Sequence, residues 1–509
     1  MVRIRYVSLI ASLVVTACRE LPEATPPSRL LAASESSRTP DTPTWWAKYQ
    51  YLAKNGPMSG GGPAASTSVG ANVDVSNECG PQSETFITVN PNDAAALAAG
   101  SNEIFRLPMR AYFSSDGGSR WGAVDVPLPA PLAGTNDTRF GSDPSLAFDT
   151  QGNAFYGFIV VFFGAGSGVN GTEMAVARST DGGRTWPLLT PFSFESGQNH
   201  FNDKPIIVVD KGDASPFRDR VYAAWDAASG GSAGGGIRVG RSADDGLSFA
   251  VNRADNPSGP GKAIGADPFV APDGTLYVAW NDYAANTIAF NRSFDGGVTW
   301  DAQRIIAPKT LAFALSIPAQ SFRGALVYPA CDTDRSGGRY RGRLYCSWMD
   351  VNAAGNTVIL FSVSDDAGTS WSVPALVGHQ LPGTDRFNQW LSVDPVTGAL
   401  TVSYYDTQND VTGQRVMTDV YLSRSLDGGA TQLPDVRVTT VSSNEHDCNG
   451  VFPCPGIDYG NQYGDYEGLV SFGGTSHPIW TDSRRDLAPF AGCAAKLAME
   501  EVFSATVTN

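Results

Sequence analysis

The residues that could do chemistry fall into a few sets. Mostly acidic positions recur once per repeated unit: Glu84, Asp143, Asp203 with Lys204, Asp267, Tyr328, Gln389 and Asp465-Tyr466-Glu467. Such a ring offers general acid/base groups or oxygen ligands for a shared ion. Arg323, Arg386 and Arg484 fall near the same positions and are candidates for a carboxylate clamp, since a guanidinium grips a carboxylate through two parallel hydrogen bonds. Tyr466 and Glu467 have the chemistry of a nucleophile and its base, but neighbours on a strand point to opposite faces. Glu445, Tyr459 and Tyr463, in the long stretch before the last unit, are the alternative source of that couple. Asp332-Thr333-Asp334-Arg335-Ser336-Gly337 has the oxygen spacing of a calcium loop, making Asp332 and Asp334 candidate ligands, although Arg343 stands where the twelfth-position acid belongs. A hairpin turn clipped by a disulfide is the other reading of that segment. His200, His379, His446 and His477 are too scattered for a zinc site.

The elements that position these groups are announced by an eight-residue pattern, Ser-x-Asp-x-Gly-x-Ser/Thr-Trp. It is complete at Ser179 to Trp186, Ser293 to Trp300 and Ser364 to Trp371. Three further copies carry Asp116, Asp244 and Asp427, with Arg120 in the hydroxyl place of the first, and Phe249 and Gln432 in the aromatic place of the other two. A tight hairpin needs an acceptor for its inward N–H groups, which the Asp carboxylate supplies, and glycine takes the positive φ. The terminal aromatic folds back to pin the hairpin, so Trp186, Trp300 and Trp371 are expected to be well buried, and Gln432→Trp neutral or stabilising. Each box follows two β-rich runs joined by a turn, as in Asp267 to Val270 and Thr275 to Trp280, and then a third strand, Thr287 to Arg292. Seven such units are found, the last ending without a box. Ala71 to Ser76 is placed to supply its outer strand and remove an exposed edge.

This pattern resembles the Asp-box, or BNR, repeat of the sialidase superfamily. The resemblance implies an all-β propeller of four-stranded antiparallel blades with Asp-box hairpins, seven by unit count and six as the alternative, with the boxes Asp116, Asp181, Asp244, Asp295, Asp366 and Asp427 structural and turned away from the ligand. On the ligand face it implies Asp143, Asp203, Asp267, Tyr466, Glu467, Arg323, Arg386 and Arg484 as catalytic candidates. Phe105-Arg106-Leu107-Pro108 looks like the family's first-blade arginine motif but sits before the third strand, not the innermost one. Trp225-Asp226, Trp280-Asn281-Asp282, Trp348-Met349-Asp350, Tyr405-Asp406 and Trp480-Thr481-Asp482 pair aromatic faces with acids, as sugar surfaces do, yet a feature of five blades reads more simply as blade architecture. The resemblance points to a glycan-directed hydrolase of exo-α-sialidase type. The missing arginine motif favours a non-catalytic propeller binding a glycan or protein, and a purely structural envelope protein is the third reading.

Arg3 and Arg5, an apolar run from Val7 to Val15 and Thr16-Ala17-Cys18 form a secretion signal too short to span a bilayer. The small residues before Cys18 resemble a lipobox, which makes residues 1–18 a lipoprotein signal peptide and implies export with a lipid anchor in the cell envelope. Residues 19–70, rich in Pro, Ser and Gly, read as a disordered tether, and 71–509 as the propeller. The formal charge of −15 argues against nucleic acid, and the chain is expected to be a monomer. Six cysteines beyond Cys18 suggest the disulfides Cys331 with Cys346, Cys448 with Cys454, and Cys79 with Cys493.

Overall fold

The computed structural model describes residues 43, 45–55, 72–76, 80–164, 168–197, 199–227, 235–255, 262–445, 462–484 and 500–508. Seven antiparallel sheets of at least four strands form a closed ring, in which the inner strand of each blade packs on its two neighbours and blade one meets blade seven. The inner strands are Gln82–Asn90, Thr138–Phe148, Asn202–Val209, Ala263–Val270, Pro329–Thr333, Arg386–Val393 and Gly468–Phe472. The six-blade alternative is therefore excluded.

Second strands are buried on both faces because each lies between neighbouring sheets. Val221–Ala227 and Leu400–Asp406 are buried at every residue. Trp225, Trp280, Trp348 and Trp480 are buried at these strand ends, so the aromatic–acid recurrences serve blade packing.

Six turns between third and outer strands follow one geometry. In the second, Ser179 Oγ accepts the Gly183 N–H at 2.9 Å, while Thr185 donates its N–H and hydroxyl to Asp181 at 2.9 and 2.6 Å. Hydrogen bonds from Ser370 hold Asp366, and those from Thr431 hold Asp427, down to about 2. Trp186 is buried against Tyr156, but Trp300 and Trp371 are only half-buried. Gln432 also departs from expectation. Its amide accepts the Gly378 N–H and the Ser423 hydroxyl and donates to Leu376 O at 2.7 Å, tying two blades together.

Blade seven is completed from the other end of the chain. Asn72–Asp74 pairs antiparallel with Glu501–Ala505, outside Thr475–Asp482. Asn72 also accepts from the Thr440 N–H (2.8 Å) and Arg484 Nη1 (3.0 Å). Cys331 and Cys346 are bonded directly across the first two strands of blade five, closing the hairpin over Asp332 to Arg343. Cys18, Cys79, Cys448, Cys454 and Cys493 lie outside the described residues.

Two additions stand outside the blades. A hairpin of Ala314–Ile317 and Gln320–Leu326 is inserted between blades four and five. Within the expected tether, Trp46–Asn55 is a helix, with Trp45 and Leu52 buried and Trp46 and Tyr49 partly so. The spacing of Trp45, Tyr49 and Leu52 is that of one helical face, and that face packs on Phe140, Phe163 and Phe201 of blades two and three. Composition averaged over 19–70 hides this short amphipathic stretch. Apart from residues 43 and 45–55, that span lies outside the described residues, as do residues 1–18.

Candidate functional site

The heads of the inner strands are re-aimed by β-bulges in blades one, two, three, four and six. In each, the residue opening the bulge takes a positive φ: Glu84 (54°), Asp143 (59°), Lys204 (45°), Gly265 (71°) and Asn388 (48°). Such a backbone in a residue other than glycine costs on the order of 1–3 kcal/mol, and turns its side chain out of the sheet alternation. Gly265 alone follows the steric rule, since a Cβ there would lie 2.2 Å from the Tyr328 ring. The bulge also corrects the alignment of the candidates. Lys204, not Asp203, is the counterpart of Asp143, Asn388 stands where Gln389 was placed, and Asp267 sits two residues further along its strand, toward the ring channel.

The turned-out side chains build one buried network. Asn102 donates to Glu84 Oε2 and accepts from the Asp143 N–H at 2.7 Å and the Ser142 hydroxyl at 3.1 Å. Asp143 accepts from the Ser142 hydroxyl at 2.7 Å and the Lys204 N–H at 3.2 Å. Lys204 crosses from blade three to the far side of the ring, its ammonium 3.7 Å from the Tyr466 ring centre, 4.4 Å from Tyr328 and 6.0 Å from Trp390. Burial lowers its pKa, opposed by the charges of Asp465, Glu84, Asp143 and Asp267. Burial also raises Asp267, Asp226 and Glu467 to about 8 each, so these carboxyls are largely protonated at neutral pH.

Arg323 enters this network from the inserted hairpin. Its Nη2 meets Glu84 at 2.5 Å and its Nε meets Asp465 at 2.6 Å, all three side chains fully buried. The hairpin is held over the mouth because Gln462 Oε1 accepts the Phe322 and Arg323 N–H groups and Gln320 donates to Gly464 O. The helix covers another sector: Trp45 Nε1 donates to Asn202 O (3.2 Å) and Lys48 Nζ to Gly141 O (2.7 Å). Burial pushes Lys48 down to about 7, against the pull of Glu103, Asp143 and Glu84.

The other two arginines are engaged elsewhere. Arg386 is fully buried between Asp406 (2.6 Å) and Asp435 (3.1 Å) of blade six, and Arg484 pairs with Asp482 (2.5 Å) in blade seven. Each guanidinium thus serves a different set of the chain's own carboxylates. Arg106 of the Phe105-Arg106-Leu107-Pro108 fragment pairs with Asp125. Asp332 accepts from Arg335 (2.7 Å) and from the Val393 N–H, and Asp334 from the Ser336 N–H. Their oxygens are thereby drawn to donors rather than gathered for calcium, and no group of three acidic, His or Cys side chains suited to a metal occurs among the described residues.

Tyr466 and Glu467 point apart, as neighbours on an extended segment must. Tyr466 donates to Pro144 O, while Glu467 turns to the interface of blades six and seven. There a Tyr/Glu couple does form, between Tyr405 and Glu467 Oε1 at 2.8 Å, with the Tyr405 hydroxyl also 2.7 Å from Thr481 O. Tyr463 lies tilted against Tyr405 at 4.6 Å and takes a hydrogen bond from Thr418, and Glu445 is buried close by. Tyr459 is outside the described residues. Burial raises Tyr405, Tyr463 and Tyr466, keeping each phenol protonated. Pairing across blades is not visible in spacing along the chain, so neither Asn102 nor Lys48 stands out in the sequence, and Tyr405 shows there only as part of an aromatic–acid recurrence.

No family model and no curated protein matches the chain. Solved structures similar to it include the leech intramolecular trans-sialidase (14% identity, 64% of each chain, TM-score 0.42), so that the match spans under two thirds of that enzyme's length. They also include the NanB sialidase of Streptococcus pneumoniae (11% identity, 70% of this chain and 68% of that one, TM-score 0.43). A third is an α-L-arabinofuranosidase of Fusarium graminearum (10% identity, 68% and 93%, TM-score 0.43).

Proposed function

We propose that the chain is a sialidase-like propeller that binds a glycan ligand without cleaving it, displayed on the cell envelope by a lipid on Cys18. One observation carries the reading: the Arg323 guanidinium is fully buried between Glu84 and Asp465 under its own hairpin. A substrate carboxylate would have to displace two internal ones to reach it. Glycan as the ligand class rests on the Asp-box resemblance of the six turns. The test is incubation of the purified chain with a fluorogenic α-sialoside and with neutral and uronic-acid glycosides, beside a glycan and protein array. No turnover with saturable glycan binding is expected. Turnover, or binding to proteins alone, overturns the reading. Labelling with a radioactive fatty acid, lost in Cys18→Ala, tests the anchor.

An exo-α-sialidase is the second reading, favoured by the Tyr405–Glu467 contact at 2.8 Å, a tyrosine beside a carboxylate. It requires sialoside turnover that Tyr405→Phe abolishes while leaving the unfolding midpoint in place.

A further inference from the structure

The inner strands enclose a channel of about 440 Å³ that reaches the face of the Ser-x-Asp-x-Gly turns, opposite the Lys204 mouth. Phe86, Leu146, Ile206, Phe269, Trp390 and Leu469 form its apolar wall. Its volume equals roughly fifteen water-sized units at about 30 Å³ each. From Phe86 to Asn90 the wall runs along the strand for about 13 Å at ~3.3 Å per residue, and the turn at residues 91 and 92 carries it on to the rim.

The rim differs from the rest of this acidic protein. Asp332 is taken up by Arg335 and by the Thr333 and Val393 N–H groups, and Asp213 by Arg341. Asp149 and Asp219 accept backbone N–H groups and neighbouring side chains. Lys211, half-buried at the rim, makes no hydrogen bond or ion pair among the described residues. Burial, with the Arg335 charge beside it, pushes it down to about 8, which leaves it charged at neutral pH. Arg218, exposed beside it, donates one long bond to Thr150 Oγ1, at 3.4 Å. A cavity of this size, with an apolar wall interrupted by Thr88, Asp267, Ser392 and Ser471 and with two available cations at one end, is built as a small-molecule site.

We infer that this channel binds an anionic amphiphile, an unbranched carboxylate of roughly twelve carbons, with its tail along the inner strands and its carboxylate on Lys211 and Arg218. Lys211 and Arg218 lie at the end of the channel opposite the ligand face, so their variants let amphiphile binding fail while glycan binding persists.

Calorimetric titration of the full chain with dodecanoate, octanoate, dodecanol and acetate, each below its micellar concentration, tests this. One saturable dodecanoate site is expected. Each buried methylene is worth about fourfold in affinity, so octanoate should bind at least tenfold more weakly and acetate not measurably. Dodecanol should also bind at least tenfold more weakly, Lys211→Met should lose about tenfold for dodecanoate, and Arg218→Gln, at an exposed position, about threefold. Dodecanol binding as well as dodecanoate, no saturable site, or unchanged affinity in both variants overturns the inference.

Discussion

Replacing Arg323 by alanine separates a structural guanidinium from a substrate clamp. The side chain bridges Glu84 and Asp465 at 2.5 and 2.6 Å, and neither partner is exposed. Removing one member of a buried pair leaves uncompensated charge and costs about 3–5 kcal/mol, and because this one guanidinium serves two carboxylates Arg323→Ala falls at the upper end. At ~2.1 cal/mol/K per residue over roughly 430 residues, the entropy of unfolding is about 0.9 kcal/mol/K, so Tm should fall by roughly 5 °C. A triple variant, Arg323→Met with Glu84→Gln and Asp465→Asn, removes all three charges and should recover most of the loss. Calorimetry of the three proteins, with denaturant unfolding as the second measure, provides the check. A shift below about 1 °C in Arg323→Ala, or no recovery in the triple variant, would refute the view that this arginine's work is internal.

Trp186→Ala should cost on the order of 3–5 kcal/mol and Trp300→Ala about half that, following their different burial; equal losses would show that burial does not set the cost. Gln432→Trp should lose about 1–3 kcal/mol by orphaning the Gly378 N–H and Leu376 carbonyl, and a gain in denaturant midpoint would contradict this. Asp267, Asp226 and Glu467 have folded pKa values near 8, above unfolded values of 3.8, 3.8 and 4.5. Their contribution is complete below about pH 4 and is lost as pH rises toward 8, so Tm should be several degrees higher at pH 5 than at 7.5, and a flat or rising profile in calorimetry would exclude it. Deleting residues up to 76 should expose the Glu501–Ala505 edge and cause aggregation by light scattering, whereas deletion up to 44 should leave a monodisperse ring.

Blade number, strand order and the closing strand were legible because they rest on short-range signals: a turn repeated six times, alternating β-rich runs, and a leftover strand at each end. The site was less legible. Asp143 and Asn388 are of types that tolerate a positive φ, but nothing in Glu84 or Lys204 announces one. The one trace is proline directly after Asp143 and Lys204, tolerated in an inner strand because a bulge leaves that N–H position unpaired. Arginine positions near the ligand face were recognisable, but which carboxylate each meets depends on contacts between residues hundreds of positions apart, such as Arg323 with Glu84. The helix at Trp46–Asn55 was overlooked because its aromatic face is short beside the Pro/Ser/Gly-rich span around it.

The docked helix and the closing strand together decide how the ring would respond to tension on its N-terminal segment. Asn72–Asp74 lies antiparallel to Phe503–Ala505, so a pull reaching Asn72 first would peel its ladder bonds one at a time, the weakest way to load a strand pair. The load meets the helix earlier. Trp45 and Lys48 grip blades two and three through side chains buried among aromatic rings, and those contacts must shear together before residue 72 is reached. If the protein hangs from a membrane by its N-terminal segment, the helix acts as a cleat that keeps the mooring force off the seam of the ring.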